Sequence, residues 1–199
     1  DTEAVVVNVT AVNDNSPVFT SASSFTVAEE QTAVGSLTTT DADTGTNTVT
    51  FTTTGGADKD AFTVTGSTLA FASAPDFETQ QSYVVVVTAS DGSNETTQEI
   101  TVNLTNVNDI APVFASSADA FSVAEGGTTV ATLEGSDAVE GDGASFSTTL
   151  TGTDSGDFAL TTGGVLTFQA TTDFENPVCG TENDSNTCNI TATITDGTN

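Results

Sequence analysis

The chain has 199 residues, of which 28 are acidic, one is basic and none is histidine, so its formal net charge is −27. This charge argues against nucleic acid and anionic lipid as partners, because both bind to clustered Lys and Arg. A zinc site of the usual kind is disfavoured by the lack of histidine. Carboxylate repulsion destabilises a compact chain unless cations bind or the acidic surface is adapted to high salt. Composition alone leaves both explanations open.

A nine-residue stretch occurs twice. Residues 11–19 read Ala-Val-Asn-Asp-Asn-Ser-Pro-Val-Phe, and residues 106–114, which follow 95 positions later, read Asn-Val-Asn-Asp-Ile-Ala-Pro-Val-Phe. A period of this length predicts tandem units of similar structure. The proline predicts a linker, because proline cannot lie inside a β-ladder. We therefore expect one repeat over 16–108 and a second over 109–199.

Residues 1–12 predict a strand, because valine recurs at every second position. When the two linkers are aligned, this strand matches Ile100, Val102 and Leu104 at the end of the first repeat. Residues 1–15 are therefore predicted to be the last strand of a preceding repeat and its linker. On this interpretation the chain is a segment of a longer protein.

The first repeat predicts short strands that are rich in Val, Thr and Phe and separated by Gly, Asp and Ser. We expect strands at 18–28, 33–39, 48–54, 61–65, 68–72, 82–90 and 97–105. Seven short antiparallel strands favour a Greek-key, immunoglobulin-like β-sandwich. The residues predicted to face inward are Phe25, Val27, Leu37, Phe51, Phe62, Val64, Leu69, Phe71, Val85, Val87, Ile100, Val102 and Leu104.

The second repeat has the same order of segments but is predicted to lack its last strand. Phe121 and Val123 match Phe25 and Val27 of the first repeat. Eight extra residues fall around Cys179 and Cys188, which predicts an inserted loop before the sixth strand. A disulfide between these cysteines, and with it an oxidising compartment, is favoured over two unpaired thiols.

Acidic residues recur in four patterns, each where a strand meets a turn. Their positions are Glu29 and Glu125, Asp41-Ala42-Asp43 and Asp137-Ala138-Val139, Asp76-Phe77-Glu78 and Asp173-Phe174-Glu175, and Asp91-Gly92 and Asp196-Gly197. Carboxylates two positions apart on extended backbone point to the same side. Several hard oxygen donors together suit Ca²⁺ better than Mg²⁺. The alternative is that these acids are solvated turn residues.

The ordered set of linker, early Glu, Asp-Ala-Asp, Asp-Phe-Glu and Asp-Gly resembles the extracellular cadherin repeat. The resemblance covers nearly the whole chain, and its composition is more similar to that of large bacterial surface proteins than to animal cadherins. It implies bound Ca²⁺ ions at each junction between repeats. At the middle junction it implies the ligands Glu29, Asp76, Glu78, Val107, Asn108, Asp109, Ile110, Asp137 and Asp196, with Val107 and Ile110 acting through their carbonyls.

One departure from the family pattern affects the middle junction. Val139 stands where a second Asp is expected, which weakens one site unless Glu140 or Asp142 replaces it. The resemblance also implies two partial junctions. The N-terminal one would use Asn13, Asp14, Asn15, Asp41, Asp43 and Asp91, and the C-terminal one would use Glu125, Asp173 and Glu175.

The resemblance implies an extracellular, calcium-stiffened module for adhesion or spacing in a surface adhesin. Its expected partners are neighbouring repeats, a cell-surface protein or glycan, and a second copy that exchanges residues 1–12 into the incomplete repeat. Carbohydrate binding is the alternative, although the chain has no Trp and only one Tyr, Tyr83. Paired carboxylates such as Asp76 and Glu78 could serve glycosidase chemistry, but the lack of histidine and of a cleft-forming segment disfavours an enzyme.

Overall fold

The computed structural model describes residues 1–43, 48–115, 120–137, 147–179 and 186–196. These residues form sixteen β-strands and two short 3₁₀ helices, Lys59–Ala61 and Ser155–Asp157, which confirms the predicted all-β class. No helix in this part of the chain is long and apolar enough to cross a membrane. The chain divides into two compact units, Asp1–Val107 (unit one) and Asn108–Asn199 (unit two).

Unit one is a β-sandwich of nine strands. They are β1 (Val18–Phe19), β2 (Ser24–Ala28), β3 (Ala33–Ser36), β4 (Thr39–Thr40), β5 (Thr50–Gly55), β6 (Phe62–Thr65), β7 (Thr68–Phe71), β8 (Ser82–Ser90) and β9 (Glu95–Thr105). One sheet has the order β2-β9-β8-β5 and the other has the order β3-β7-β6. The short strands β1 and β4 pair with each other.

The core of unit one lies between these two sheets. Strand residues alternate between the two faces of a sheet, so every second side chain points inward. Every residue that the sequence predicted to face inward lies in this core or packs against it. Tyr83 is also buried there, with only 9% of its surface exposed, and its ring packs edge-on against Phe71. The single tyrosine is therefore part of the core.

The predicted strands 18–28 and 33–39 are each broken into two in the structure. The breaks arise because the chain changes sheets between β1 and β2 and again between β3 and β4. Strand β1 pairs with β4, whereas β2 pairs with β9. The β2–β9 ladder is parallel, so the prediction of a wholly antiparallel sandwich was wrong at this edge.

Residues 1–12 form no strand, contrary to the sequence prediction. Val5, Val6, Val7 and Val9 are between 79% and 94% exposed. A β-strand is stable only when its backbone groups pair with a neighbouring strand, and no described strand pairs with this segment. Its assignment as the last strand of a preceding repeat stays a prediction.

The described residues of unit two form seven strands, which repeat most of the pairings of unit one. They are β10 (Val113–Phe114), β11 (Thr129–Thr132), β12 (Gly135–Ser136), β13 (Ser147–Thr151), β14 (Phe158–Leu160), β15 (Val165–Phe168) and β16 (Thr191–Thr195). Strand β10 pairs with β12, β11-β15-β14 form a three-stranded sheet, and β13 pairs with β16. These sets correspond to β1–β4, β3-β7-β6 and β5–β8 of unit one.

The segment of unit two that matches β2 is not a strand. Residues 120–124 are irregular, and Phe121, which matches Phe25, is 42% exposed. In unit one the corresponding strand β2 is held by a ladder to β9. The described residues of unit two contain no counterpart of β9, so residues 120–124 have no ladder partner among them.

The predicted disulfide is present. Cys179 and Cys188 are bonded, with their Cα atoms 5.6 Å apart, and Cys179 is buried. The bond closes a short loop of unit two and therefore restricts the unfolded chain.

Gly56 and Gly66 provide a matched test of backbone strain in unit one. Both have positive φ, but a Cβ at Gly56 would lie 2.5 Å from the Val84 carbonyl oxygen, whereas a Cβ at Gly66 would meet nothing within 4 Å. We expect Gly56→Ala to lower the free energy of unfolding by about 3 kcal/mol or more. Gly66→Ala should cost only about 1 kcal/mol. Urea unfolding monitored by the fluorescence of Tyr83, the only tyrosine, measures the free energy of unfolding of unit one. Equal losses of stability in the two variants would contradict the steric clash expected at Gly56.

Removal of the disulfide should affect unit two alone. We expect the Cys179→Ser, Cys188→Ser double variant to lower the stability of that unit by about 2–3 kcal/mol, because the unfolded loop gains conformational entropy. Circular dichroism should show the lost stability. The unfolding transition of unit one, followed by Tyr83 fluorescence, is the internal control and should not move. A shift in the transitions of both units would contradict an effect confined to unit two.

Candidate metal centre

Three carboxylates converge at one end of unit one. Asp41 and Asp43 follow β4, and Asp91 follows β8; each offers one oxygen, and these atoms lie within 4.8 Å of one another. We call these three residues the N-terminal acidic cluster. The antiparallel pairing of β1 with β4 brings the linker to the same place, because Val18 lies opposite Thr40. Residues that precede Val18 therefore run past the end of β4 towards the cluster.

Hydrogen bonds hold the linker against this cluster. The backbone N–H of Asn15 donates to Asp43 Oδ2 at 2.8 Å, and Asn15 Nδ2 donates to Asp43 Oδ1 at 2.7 Å and to Asp14 Oδ1 at 3.2 Å. Asn94 Nδ2 donates to the Asn15 carbonyl oxygen at 2.9 Å. Asp14 and Asn15 are exposed and Asn13 is half-buried. The structure thus brings the predicted residues of the N-terminal junction together.

The backbone after β8 orients Asp91. Its Oδ1 accepts hydrogen bonds of 2.7 Å from the backbone N–H groups of Ser93 and Asn94, and its side chain is 9% exposed. These N–H donors, Asn94 first, lower the pKa of Asp91 below its ordinary value of 3.8. The Asn15 side chain and then its backbone N–H do the same for the pKa of Asp43. Both carboxyls are therefore ionised at neutral pH.

One buried oxygen of the site suits a cation. The Asn13 amide nitrogen donates to Asp91 Oδ2 and to Asp43 Oδ2, both at 3.0 Å, so these two contacts are hydrogen bonds. Asp41 Oδ1 accepts from the Asp43 N–H, but Asp41 Oδ2 is buried and accepts no hydrogen bond from any described residue. The donor set is wholly oxygen, which fits a hard divalent cation such as Ca²⁺.

Unit one also contributes the predicted donors Glu29 and Glu78. Glu29 follows β2 and is only 1% exposed; it accepts 2.7 Å hydrogen bonds from the backbone N–H groups of Phe77 and Val107. A carboxylate oxygen of Glu78 lies within 4.8 Å of one of Glu29. Asp76 is exposed, and its two oxygens accept from the backbone N–H and hydroxyl of Thr79. Asp76 therefore caps its own turn and joins no carboxylate cluster of the described residues.

The predicted donors of unit two occupy equivalent positions in the chain. Asp137 follows β12 and Asp196 follows β16, as Asp41 follows β4 and Asp91 follows β8, and both are half-buried. Asn108, Asp109 and Ile110 begin the unit. Val139, Glu140 and Asp142 lie outside the described residues. Within that part of unit two, no three carboxylates come together.

The predicted C-terminal junction is not assembled. Glu125, Asp173 and Glu175 are all exposed, in contrast to the buried Glu29. Asp173 Oδ1 accepts from the backbone N–H groups of Glu175 and Asn176, so this carboxylate caps its own turn. The three side chains form no carboxylate cluster among the residues described.

Sequence reasoning missed the role of Asn94. This residue both donates to the linker and orients Asp91. A signal was present, because Asp91-Gly92-Ser93-Asn94 recurs as Asp-Gly-Thr-Asn at residues 196–199. The recurrence of Asn at the fourth position marks it as part of the site.

A family model described as "Cadherin domain" matches residues 23–105. The chain therefore contains a cadherin domain. Cadherin EGF LAG seven-pass G-type receptor 1 of Homo sapiens is 38% identical over 151 residues, which are 71% of this chain and 5% of that protein. Protocadherin-16 of Homo sapiens is 38% identical over 154 residues, with the same two shares. The chain thus spans a small part of these cadherin relatives.

Solved cadherin structures share the fold. A crystal structure of human protocadherin-24 EC1-2 has a TM-score of 0.68 at 20% identity, over 92% of this chain and 94% of that one. The protocadherin gammaB4 extracellular domain has a TM-score of 0.61 at 27% identity, over 84% of this chain and 28% of that one. The relatives named here are animal proteins, so the predicted origin in a bacterial surface protein has no support from them.

The stability contributed by Asp43 should disappear in acid. Because the folded pKa of Asp43 lies below 3.8, its contribution is present above that pH and is lost as the pH falls through the lowered value. We expect wild type to be more stable than Asp43→Asn at neutral pH, and this difference to vanish in acid. Thermal unfolding followed by Tyr83 fluorescence at a series of pH values measures this difference in stability. A difference that does not change with pH would contradict the lowered pKa of Asp43.

Proposed function

We propose that this chain is an extracellular tandem cadherin module that binds Ca²⁺ and serves cell adhesion, directly or as a spacer. The observation that carries the calcium proposal is the convergence of three carboxylates in the N-terminal acidic cluster, where Asp41 Oδ2 is buried and accepts no hydrogen bond from the described residues. The negative charges of carboxylates this close repel one another. A cation that bridges them converts this repulsion into attraction.

The chemistry of the site favours calcium among common cations. All candidate donors are carboxylate, amide or backbone oxygens, and the chain has no histidine. Ca²⁺ accepts six to eight such oxygens in irregular geometry, whereas Mg²⁺ requires a strict octahedron and retains its waters. The sole lysine, Lys59, cannot balance 28 acidic residues, so a bound cation also relieves the net charge.

Calcium binding would fix the linker to unit one. Asn13 and Asn15 precede β1 and contact the cluster through hydrogen bonds of half-buried and exposed groups. A shared ion adds a strong contact between linker and sheet. Extracellular calcium modules bind with Kd of roughly 10⁻⁴–10⁻³ M, so the linker would be held where calcium is millimolar and looser where it is scarce.

We extend the same proposal to the middle junction on the strength of the repeat pattern. Glu29, Glu78 and Asp76 would be the donors of unit one, and Asn108, Asp109, Asp137 and Asp196 those of unit two, with the carbonyls of Val107 and Ile110. Neighbouring repeats of the same protein are thus the first partners of this module.

The cadherin family is not an enzyme family, and burial of Tyr83 removes the one tyrosine as a platform for sugar.

Calcium should stabilise unit one through the N-terminal acidic cluster. At 10 mM calcium, a Kd of roughly 10⁻⁴–10⁻³ M corresponds to about 1.4–2.7 kcal/mol for each independent site. Asp41→Asn should lose most of the gain from this site, because it changes the buried oxygen. The measurement is the melting temperature of unit one, from Tyr83 fluorescence, in chelator and in calcium.

Two controls separate bound calcium from charge screening. Asp60→Asn removes the same charge from an exposed carboxylate outside the cluster and should keep the full calcium response. Magnesium, or sodium chloride at matched ionic strength, should stabilise unit one much less. If these salts match calcium, or if Asp60→Asn and Asp41→Asn respond alike, the acids form a solvated surface and the calcium proposal fails.

A further inference from the structure

Two Asn-x-Thr sequons lie at strand β9 of unit one. Asn94-Glu95-Thr96 stands at the start of the strand, and Asn103-Leu104-Thr105 stands at its end. The asparagine of such a sequon is the acceptor for N-linked glycans in secreted proteins. The cadherin relatives of this extracellular module are animal proteins, which pass through a pathway that attaches these glycans. Because the sequon is short, the surroundings of each amide decide whether a glycan fits the fold.

Asn103 faces solvent from the outer side of the sandwich. Val102 and Leu104 on either side of it are buried in the core, so the alternation of side chains turns Asn103 outward, where it is exposed. In the register of the sheet, Asn103 lies opposite Ser82 of β8 and Thr26 of β2. Both of these residues are exposed, small and uncharged, so they leave room above the sheet for a sugar ring.

A hydrogen bond orients the Asn103 amide. The Ser82 hydroxyl donates to Asn103 Oδ1 at 3.0 Å, which turns this oxygen towards β8 and Nδ2 to the opposite side of the amide. Nδ2 is the atom to which an N-linked glycan is attached. Because the bond to Ser82 uses only the oxygen, it persists when a sugar replaces one hydrogen of Nδ2.

Asn94 has the opposite surroundings. It is half-buried, and its Nδ2 donates to the Asn15 carbonyl oxygen at 2.9 Å. The Asn13 carbonyl oxygen and Asp91 Oδ2 each lie 3.4 Å from the same nitrogen. A sugar carbon joined to Nδ2 by a single bond of about 1.45 Å would enter this group of acceptors and push the linker away. A glycan on Asn94 is therefore incompatible with the folded linker.

We propose that Asn103 carries an N-linked glycan and that Asn94 stays unmodified in the folded module. In this reaction the anomeric carbon of a lipid-linked oligosaccharide diphosphate forms a bond to Nδ2 of Asn103. The bond from that carbon to the diphosphate oxygen breaks, the lipid diphosphate leaves, and Nδ2 loses one proton.

The glycan covers the outer face of β8 and β9, where Val84 and Val86 are half-buried. It places a bulky, hydrated group on that face, so protein partners of unit one contact other surfaces. The inference goes beyond the proposed function and does not need calcium, because it rests on the exposure and hydrogen bonds of the two amides.

Secretion of the full chain from cultured animal cells tests the proposal. Enzymatic removal of N-glycans in oxygen-18 water converts each modified asparagine into a labelled aspartate. A protease that cleaves after glutamate then separates the two sites, because Glu95 and Glu99 lie between them. Mass spectrometry should find the label at Asn103 and no label at Asn94. An unlabelled Asn103 or a labelled Asn94 overturns the proposal.

Thr105→Ala and Thr96→Ala form a matched pair, because each removes the hydroxyl of one sequon. Thr105→Ala should lose one glycan, which a denaturing gel shows as a band of lower mass, whereas Thr96→Ala should match wild type. Thr105→Ser keeps the sequon and should restore the wild-type band. An unchanged band for Thr105→Ala, or a shifted band for Thr96→Ala, overturns the proposal. A failed calcium response in protein labelled at Asn103 contradicts the calcium proposal alone.

Discussion

The pairing of β9 on both of its sides is the interaction on which unit one depends. Its parallel ladder with β2 and antiparallel ladder with β8 place Ile100 and Val102 in the centre of the core. Two residues after the strand, the Val107 N–H donates to the buried Glu29. The same strand therefore closes the sandwich and fixes the start of the next linker. In the described part of unit two, residues 120–124 form no such ladder, and Phe121 is exposed.

Electrostatic repulsion is the second constraint. Strand ends concentrate the carboxylates at one end of unit one, and Asp41, Asp43 and Asp91 meet there without a cationic side chain. Hydrogen bonds from Asn15, Ser93 and Asn94 reach Asp43 and Asp91, whereas the buried Asp41 Oδ2 accepts none from the described residues. A cation that completes this site would connect the stability of the sandwich to the order of the linker. That connection is the physical basis of the calcium-dependent stiffness proposed here.

Several elements could be predicted because they are encoded locally. Alternation along the chain identified Val85, Val87 and Ile100 as core residues, since a strand exposes its two faces in turn. The short spacing of Cys179 and Cys188 allowed a disulfide, which is present. The parallel pairing of β2 and the contact of Asn94 with the linker were missed, because each depends on a partner more than seventy residues away.

The sequence by itself determined the 95-residue period, the all-β class, the residues that face inward, and the positions of the acids at strand ends. Only the tertiary structure decided which strands pair with each other and that residues 1–12 form no strand. It also decided that Asp41, Asp43 and Asp91 converge, whereas Glu125, Asp173 and Glu175 do not. The physical reason is that periodicity sets the direction of a side chain relative to its own strand. Ladder partners, and the burial of an atom such as Asp41 Oδ2, depend instead on residues distant in the chain.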